Sequence, residues 1–188
     1  TDAFSLTPWE QTLVLDADYV VCSNQLQQVL NAPQDFLAHR DAFNIARPDE
    51  PFLDSFGAHK FPMWWATVMM FRKSTTAQYI FDAMTMIKTN WQHYRDLYGI
   101  VEKNYRNDYA LSIALGIVSG HTLKVDSIPW PLMSVTPEVE LTKNSYNKLE
   151  SWNIKYTNQE GQTKLVGITG QDFHAMGKKH LETAIETR

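Results

Sequence analysis

The stretch Leu13-Val14-Leu15-Asp16-Ala17-Asp18-Tyr19 sets two carboxylates two residues apart, directly after a short apolar run. If the backbone stays extended there, both side chains point to one side. Two adjacent anions repel unless a cation sits between them, and hard carboxylate oxygens at this spacing suit Mg²⁺ or Mn²⁺. Such an ion bridges diphosphate oxygens and stabilises a departing nucleoside diphosphate. The plain alternative is an acidic pair that ends a strand and binds nothing.

Near the other end, Asp172-Phe173-His174-Ala175-Met176-Gly177-Lys178-Lys179 places an imidazole after a short apolar segment, then a glycine, then two ammonium groups. A neutral imidazole can complete a mixed oxygen and nitrogen site, which Mn²⁺ accepts. Gly177 lets a ligand approach the backbone, and Lys178 and Lys179 are point charges suited to phosphate. The alternative is a surface histidine at a helix start beside solvated lysines. Asp108, at the start of a helix, is a candidate base for deprotonating an acceptor hydroxyl; the same position favours the helix dipole by about 0.5–1 kcal/mol with no catalytic role. Trp64, Trp65, Trp130 and Tyr109 could stack on sugar faces or simply pack.

These residues need elements to hold them. Thr12 to Leu15 reads as a strand buried on both faces inside an α/β sheet, and chemistry in such sheets gathers at strand carboxyl ends. From Ser23 to Pro62 the pattern is irregular, with prolines at 33, 48, 51 and 62, a short helix near Leu26 to Leu30 and a strand at Asp35 to Ala38. Ala66 to Lys73 predicts a second buried strand. Ser74 or Thr75 then caps a long amphipathic helix with Ala77, Ile80, Phe81, Met84, Ile87, Trp91 and Tyr94 on one face. A further helix begins at Asn107 or Asp108 and stops by Gly120. Leu123 to Ile128 is strand-like and precedes the Pro129-Trp130-Pro131 corner. Trp152 to Thr157 and Thr163 to Ile168 flank Asn158-Gln159-Glu160-Gly161-Gln162 as a hairpin, and Lys178 to Glu186 forms a closing helix.

The chain has 188 residues, 44% hydrophobic and 12% aromatic, enough apolar material for one packed core, so residues 1–188 read as a single domain. A formal net charge of −4 creates no field that draws in nucleic acid, and Arg40, Arg47, Lys60 and Arg72 form no compact basic run. The single cysteine, Cys22, sits in an apolar run as a small buried thiol. No stretch approaches a membrane span and the first residues lack a signal-peptide pattern, so the expectation is a soluble, cytoplasmic protein.

Four landmarks in order carry a resemblance: Leu15-Asp16-Ala17-Asp18-Tyr19-Val20; the strand Thr67 to Ser74 leading a long helix; Arg106-Asn107-Asp108-Tyr109-Ala110-Leu111 at a helix start; and His174-x-x-Gly177-Lys178. Together they resemble nucleotide-diphospho-sugar transferases of the GT-A type, in the order of glycogenin-like and lipopolysaccharide-type enzymes. The resemblance implies a mixed sheet flanked by helices, a metal held by Asp16, Asp18 and His174, and Lys178 against the diphosphate. It implies a nucleoside diphosphate-sugar donor and an acceptor it does not identify. His180 stands where the glycogenin-like pattern often has its Lys, and Arg106-Asn107-Asp108 replaces a more usual Asp-Gln-Asp. The first βαβ part of such a fold, which binds base and ribose, has no counterpart in this sequence. The expectation is therefore the metal-binding and acceptor-side portion of the fold, with an N-terminal segment supplied separately or self-association through an uncovered edge of the Thr12 to Leu15 strand.

Two further readings use the same residues. The run-Asp-x-Asp-x-Val pattern also resembles haloacid-dehalogenase-type phosphatases, with Asp16 as nucleophile and Asp18 as general acid. That chemistry requires a downstream Lys and a further acidic pair on another strand end to hold Mg²⁺, and no Asp-Asp or Gly-Asp-x-x-x-Asp follows position 60. The other is a non-catalytic binding or assembly protein that keeps the fold.

Overall fold

The computed structural model describes residues 2–48, 52–122, 124–144, 151–158 and 160–186. Along the chain, the first third forms α1 (Ala3–Leu6), β1 (Gln11–Leu15), β2 (Tyr19–Val20), α2 (Gln25–Leu30), β3 (Phe36–His39), β4 (Ala42–Asn44), β5 (Ser55–Phe56) and β6 (Phe61–Pro62). The middle forms β7 (Trp65–Arg72), α3 (Thr75–Thr89), α4 (Trp91–Leu97) and α5 (Asn107–Val118). The remainder forms β8 (Leu132–Val135), β9 (Glu140–Asn144), β10 (Ser151–Thr157), β11 (Thr163–Thr169), β12 (Phe173–Ala175) and α6 (Lys178–Glu186). The class is α/β. Backbone contacts gather into two compact units, one of Thr1–Leu15, Val29–Ala42 and Leu53–Pro131, the other of Asp16–Gln28, Phe43–Phe52 and Leu132–Arg188. Each unit is assembled from segments far apart in sequence, so no linker or composition shift announces the division.

The first unit is built on an antiparallel sheet in the order β1-β7-β3. β7 lies in the middle because all of its residues from Trp65 to Phe71 are apolar or small and can be buried on both faces. The expectation for Thr12 to Leu15 is corrected here. β1 is an edge strand of this sheet among the described residues, only half-buried, with Leu15 exposed. In an antiparallel sheet the edge strand has one ladder and one open side, so a short apolar run alone does not mark the sheet centre.

α3 starts at Ser74, whose hydroxyl accepts a hydrogen bond from Ala77 N at 3.2 Å. Its buried face, Ala77, Ile80, Phe81, Ala83, Met84 and Ile87, follows the three-and-four spacing. Phe81 meets Phe71 of β7 with ring centroids 4.8 Å apart, near edge to face, and truncating the fully buried Phe71 would cost about 3–5 kcal/mol. The helix stops earlier than its apolar spacing suggests. Asn90 turns out of helical geometry and its side-chain amide bonds to Met86 O at 2.9 Å, so Trp91 and Tyr94 belong to the separate α4. α5 packs on both α3 and β7, with every residue from Tyr109 to Leu115 buried. Residues 124–128 form no strand: Ile128 N makes a single bond to Ala38 O at 2.9 Å, while Lys124 and Asp126 face solvent. Their alternation comes from one strap across β3 and not from a ladder. Leu123, like Pro51 and Gln159, lies outside the described residues.

The second unit holds a four-stranded sheet in the order β2-β12-β8-β4 and a meander in the order β11-β10-β9. β10 and β11 pair antiparallel from Ser151↔Thr169 to Thr157↔Thr163, which is the expected hairpin. The core joins Met133 and Val135 of β8, Trp152 and Ile154 of β10, Ile168 of β11 and Phe173 of β12. Trp152 and Phe173 meet edge to face at 5.7 Å, and α6 covers β9.

Candidate metal centre

The centre lies wholly within the second unit. Asp16, Ala17 and Asp18 form a turn closed by Tyr19 N donating to Asp16 O at 3.0 Å. The backbone is therefore not extended here, contrary to the simplest expectation for Asp-x-Asp. β2 follows at once and pairs antiparallel with β12, setting His174 opposite Tyr19 and Phe173 opposite Val20. Ala175 N donates to Asp18 O at 2.9 Å and fixes the turn against the strand.

Alternation along β12 does the rest. Phe173 and Ala175 are fully buried in the core, so His174 between them emerges on the opposite pleat face. There Nε2 stands 3.2 Å from Asp18 Oδ1 and 4.0 Å from Asp16 Oδ2. One ligand atom from each residue lies within 4.8 Å of the other two. The side chains of Asp18 and His174 are 9% and 11% exposed, that of Asp16 51%, so two ligands are held by packing and the third reaches in from solvent.

Residues from opposite ends of the chain thus present two carboxylates and an imidazole to one point. An octahedral dication with ligand distances of about 2.1 Å holds neighbouring ligand atoms about 3 Å apart and opposed ones about 4.2 Å apart. The observed separations lie near that range, and the half-exposed Asp16 is the side chain with room to close in. The donor set suits Mn²⁺ or Mg²⁺, the imidazole leaning toward Mn²⁺. One feature of a finished metal site is missing among the described residues: His174 Nδ1 is buried with no hydrogen-bond partner, where a ligating histidine ordinarily has one. The strand pairing, and not a bond to Nδ1, fixes the ring.

A residue that the sequence reading gave no role helps to hold the site. Asp172, 4% exposed, accepts hydrogen bonds on Oδ1 from Cys22 N and Ser23 N, both at 2.7 Å, and ties the chain after β2 to the start of β12. Burial, and then the nearby Asp172 carboxylate, hold the Tyr19 phenol well above its ordinary pKa. The signal for Asp172 was its place beside Phe173, an acidic residue leading into a buried strand.

Gly177 precedes α6, its carbonyl accepting from Leu181 N at 3.2 Å, and Lys178 and Lys179 open the helix, both exposed. Two cations at a helix N-terminus oppose the dipole, an arrangement that an anion there would relieve. The His180 side chain is outside the described residues. Asp108 is not part of this constellation. It sits in the first unit, in the first turn of α5, where Oδ1 accepts from Ala66 N at 2.9 Å and Oδ2 pairs with Arg106 at 2.7 Å. Oδ1 ties α5 to β7, and Oδ2 holds the guanidinium of Arg106 at the helix start.

Comparison with protein-family models, with curated proteins and with solved structures gave no match.

Proposed function

We propose that this chain is the metal-binding and acceptor-side portion of a GT-A-type glycosyltransferase, a cytoplasmic enzyme that moves a hexose-like sugar from a nucleoside diphosphate donor to an acceptor hydroxyl. The observation that carries this reading is the convergence of Asp16, Asp18 and His174 on one point. In this reading Asp18 and His174, held by the β2-β12 pairing, fix the ion's position, and Asp16 completes the set. Bound there, Mn²⁺ or Mg²⁺ supplies positive charge against the diphosphate and stabilises the leaving nucleoside diphosphate. Lys178 and Lys179 add ammonium groups for the same oxygens, and Gly177 keeps the backbone open beside them. The third ligand is an imidazole and not a further carboxylate, which favours this reading over a phosphatase that uses Asp16 covalently. No helix among the described residues is long and apolar enough to cross a membrane. Among the described residues β1 pairs with β7 alone, and its other side is the edge through which a further segment or a second copy would pair.

The test is turnover of a panel of nucleotide sugars with Mn²⁺, alone and with candidate acceptors. Metal-dependent release of the nucleoside diphosphate, lost in Asp16→Asn and His174→Ala, is the expected result. Tight Mn²⁺ binding with no turnover of any donor would leave a binding protein and overturn the transferase.

A further inference from the structure

At least two cavities open in the first unit. The larger, of about 660 Å³, runs beside Asp35 and Asp126, whose charges offset that of Lys124 and define no ligand class. The other, of about 540 Å³, is different in kind. Arg40, Lys60, Lys124, His59 and His121 line it, and no carboxylate does. Its apolar wall is Phe61, Pro62, Trp64 and Leu115. The volume falls in the range of small-molecule sites, and the pairing of a ring-bearing wall with unbalanced cations is what an amphipathic anion requires.

The backbone supports the same assignment. Among the described residues, Lys60 at φ 49° and His121 at φ 59° are the non-glycine positions with left-handed backbone, and both line this cavity. Such conformations persist only where the surroundings enforce them, and they gather at ligand sites. Lys60 ends a turn in which its N–H reaches Gly57 O at 3.2 Å. His121 follows the α5 C-terminus, where Gly120 N bonds to Ile117 O at 3.1 Å and His121 N to Gly116 O at 2.8 Å, the double closure of a helix ended by a left-handed glycine. Gly116 adds a close approach: a Cβ there would stand 2.5 Å from Phe61 Cζ and 2.9 Å from the His121 ring. Only glycine lets those two rings, edge to face at 5.5 Å, sit against the helix and form the wall. Arg40 is held ready, one guanidinium N–H donating to Met63 O at 3.1 Å. No carboxylate among the described residues pairs with any of the five basic groups.

We infer that this cavity binds a phosphate monoester carried on a cyclic organic body. Arg40 and Lys60, which no carboxylate of the lining offsets, fit a dianion better than a single carboxylate, with Lys124 shared with the neighbouring cavity, and the Phe61 and Trp64 side takes the ring. All of its residues lie in the first unit, so the inference does not rest on the metal centre.

The experiment is calorimetric titration of the whole chain in EDTA with glucose 6-phosphate, adenosine 5′-monophosphate, glucose, adenosine and inorganic phosphate. Binding of at least one ester, tighter than its neutral counterpart and tighter than inorganic phosphate by about tenfold or more, is expected. Lys60→Asn combined with Lys124→Gln should remove most of that binding, since both side chains are exposed and Asn accepts the left-handed backbone. An unchanged circular dichroism spectrum and melting midpoint would certify the fold. Gly116→Ala, which intrudes on the Phe61 and His121 rings, should weaken the ester and leave inorganic phosphate unaffected. The inference is overturned by failure of both esters to bind at millimolar concentration, by equal binding of the neutral compounds, by equal binding of inorganic phosphate, or by ester affinity that survives loss of both lysines.

Discussion

Replacing Asp18 by Asn removes one charge from the Asp16, Asp18 and His174 group while keeping an oxygen where Oδ1 meets His174 Nε2 at 3.2 Å. Two carboxylates whose ligand atoms lie within 4.8 Å repel by about 3 kcal/mol at an effective dielectric of 20. Asp16 is half-exposed, so water screens most of this, and about 1 kcal/mol remains. The metal-free Asp18→Asn protein should therefore be as stable as the parent or more stable by up to about 1 kcal/mol. Mn²⁺ at a hundredfold excess over its dissociation constant should stabilise the parent by about 2.7 kcal/mol, a rise in melting midpoint of roughly 5–10 °C for a chain of this size. In the variant that rise should vanish. Differential scanning calorimetry with and without EDTA reads both effects. If Asp18→Asn is destabilised by more than about 1 kcal/mol without metal, and Mn²⁺ leaves the parent's midpoint unmoved, the group is a structural ion pair and the metal argument fails.

Burial lowers the His39 pKa to about 4, partly opposed by its hydrogen bond to Trp130 O at 3.0 Å. The unfolded chain then takes up the proton first, so the stabilising contribution present above about pH 6.5 should fall by about 3 kcal/mol as pH drops toward 4. Urea midpoints across that window, with His39→Gln flattening the slope, check this. Asp108→Ala should cost about 1–3 kcal/mol by stranding Ala66 N and Arg106; a full loss of turnover in a variant of unchanged stability would instead restore Asp108 as a base. Incubation with simple phosphate esters should leave Asp16 unmodified, and a hydroxylamine-sensitive adduct detected there by mass spectrometry would reverse the ranking of transferase over phosphatase.

The local order of this chain was legible in its sequence wherever one period ran uninterrupted. The Ser74 cap and the three-and-four spacing from Ala77 to Ile87 specify α3, and the seven-pair hairpin of β10 and β11 follows from two β-rich runs around a glycine-containing connection. The spacing could not show the break at Asn90, because the apolar period carries on through it while one side-chain amide ends the helix. Nor could the Thr12 to Leu15 run say whether its strand was central or at an edge. That depends on which strand pairs with it, and β7, longer and buried on both faces, took the centre. Asp16, Asp18 and His174 were legible as residue types able to hold a metal, but their convergence was decided by the tertiary structure. A two-residue β2 laid against β12 sets Tyr19 opposite His174, and the pleat turns the imidazole away from the core toward the carboxylates. For Asp108 the reverse holds: at a helix start it reads equally as base or clamp, and only the position of Ala66 N, brought in by a strand 42 residues earlier, gives its carboxylate a structural partner. Sequence fixes what a side chain can do, whereas the long-range pairing of strands fixes what it meets, because register is set by the partner and not by the segment itself.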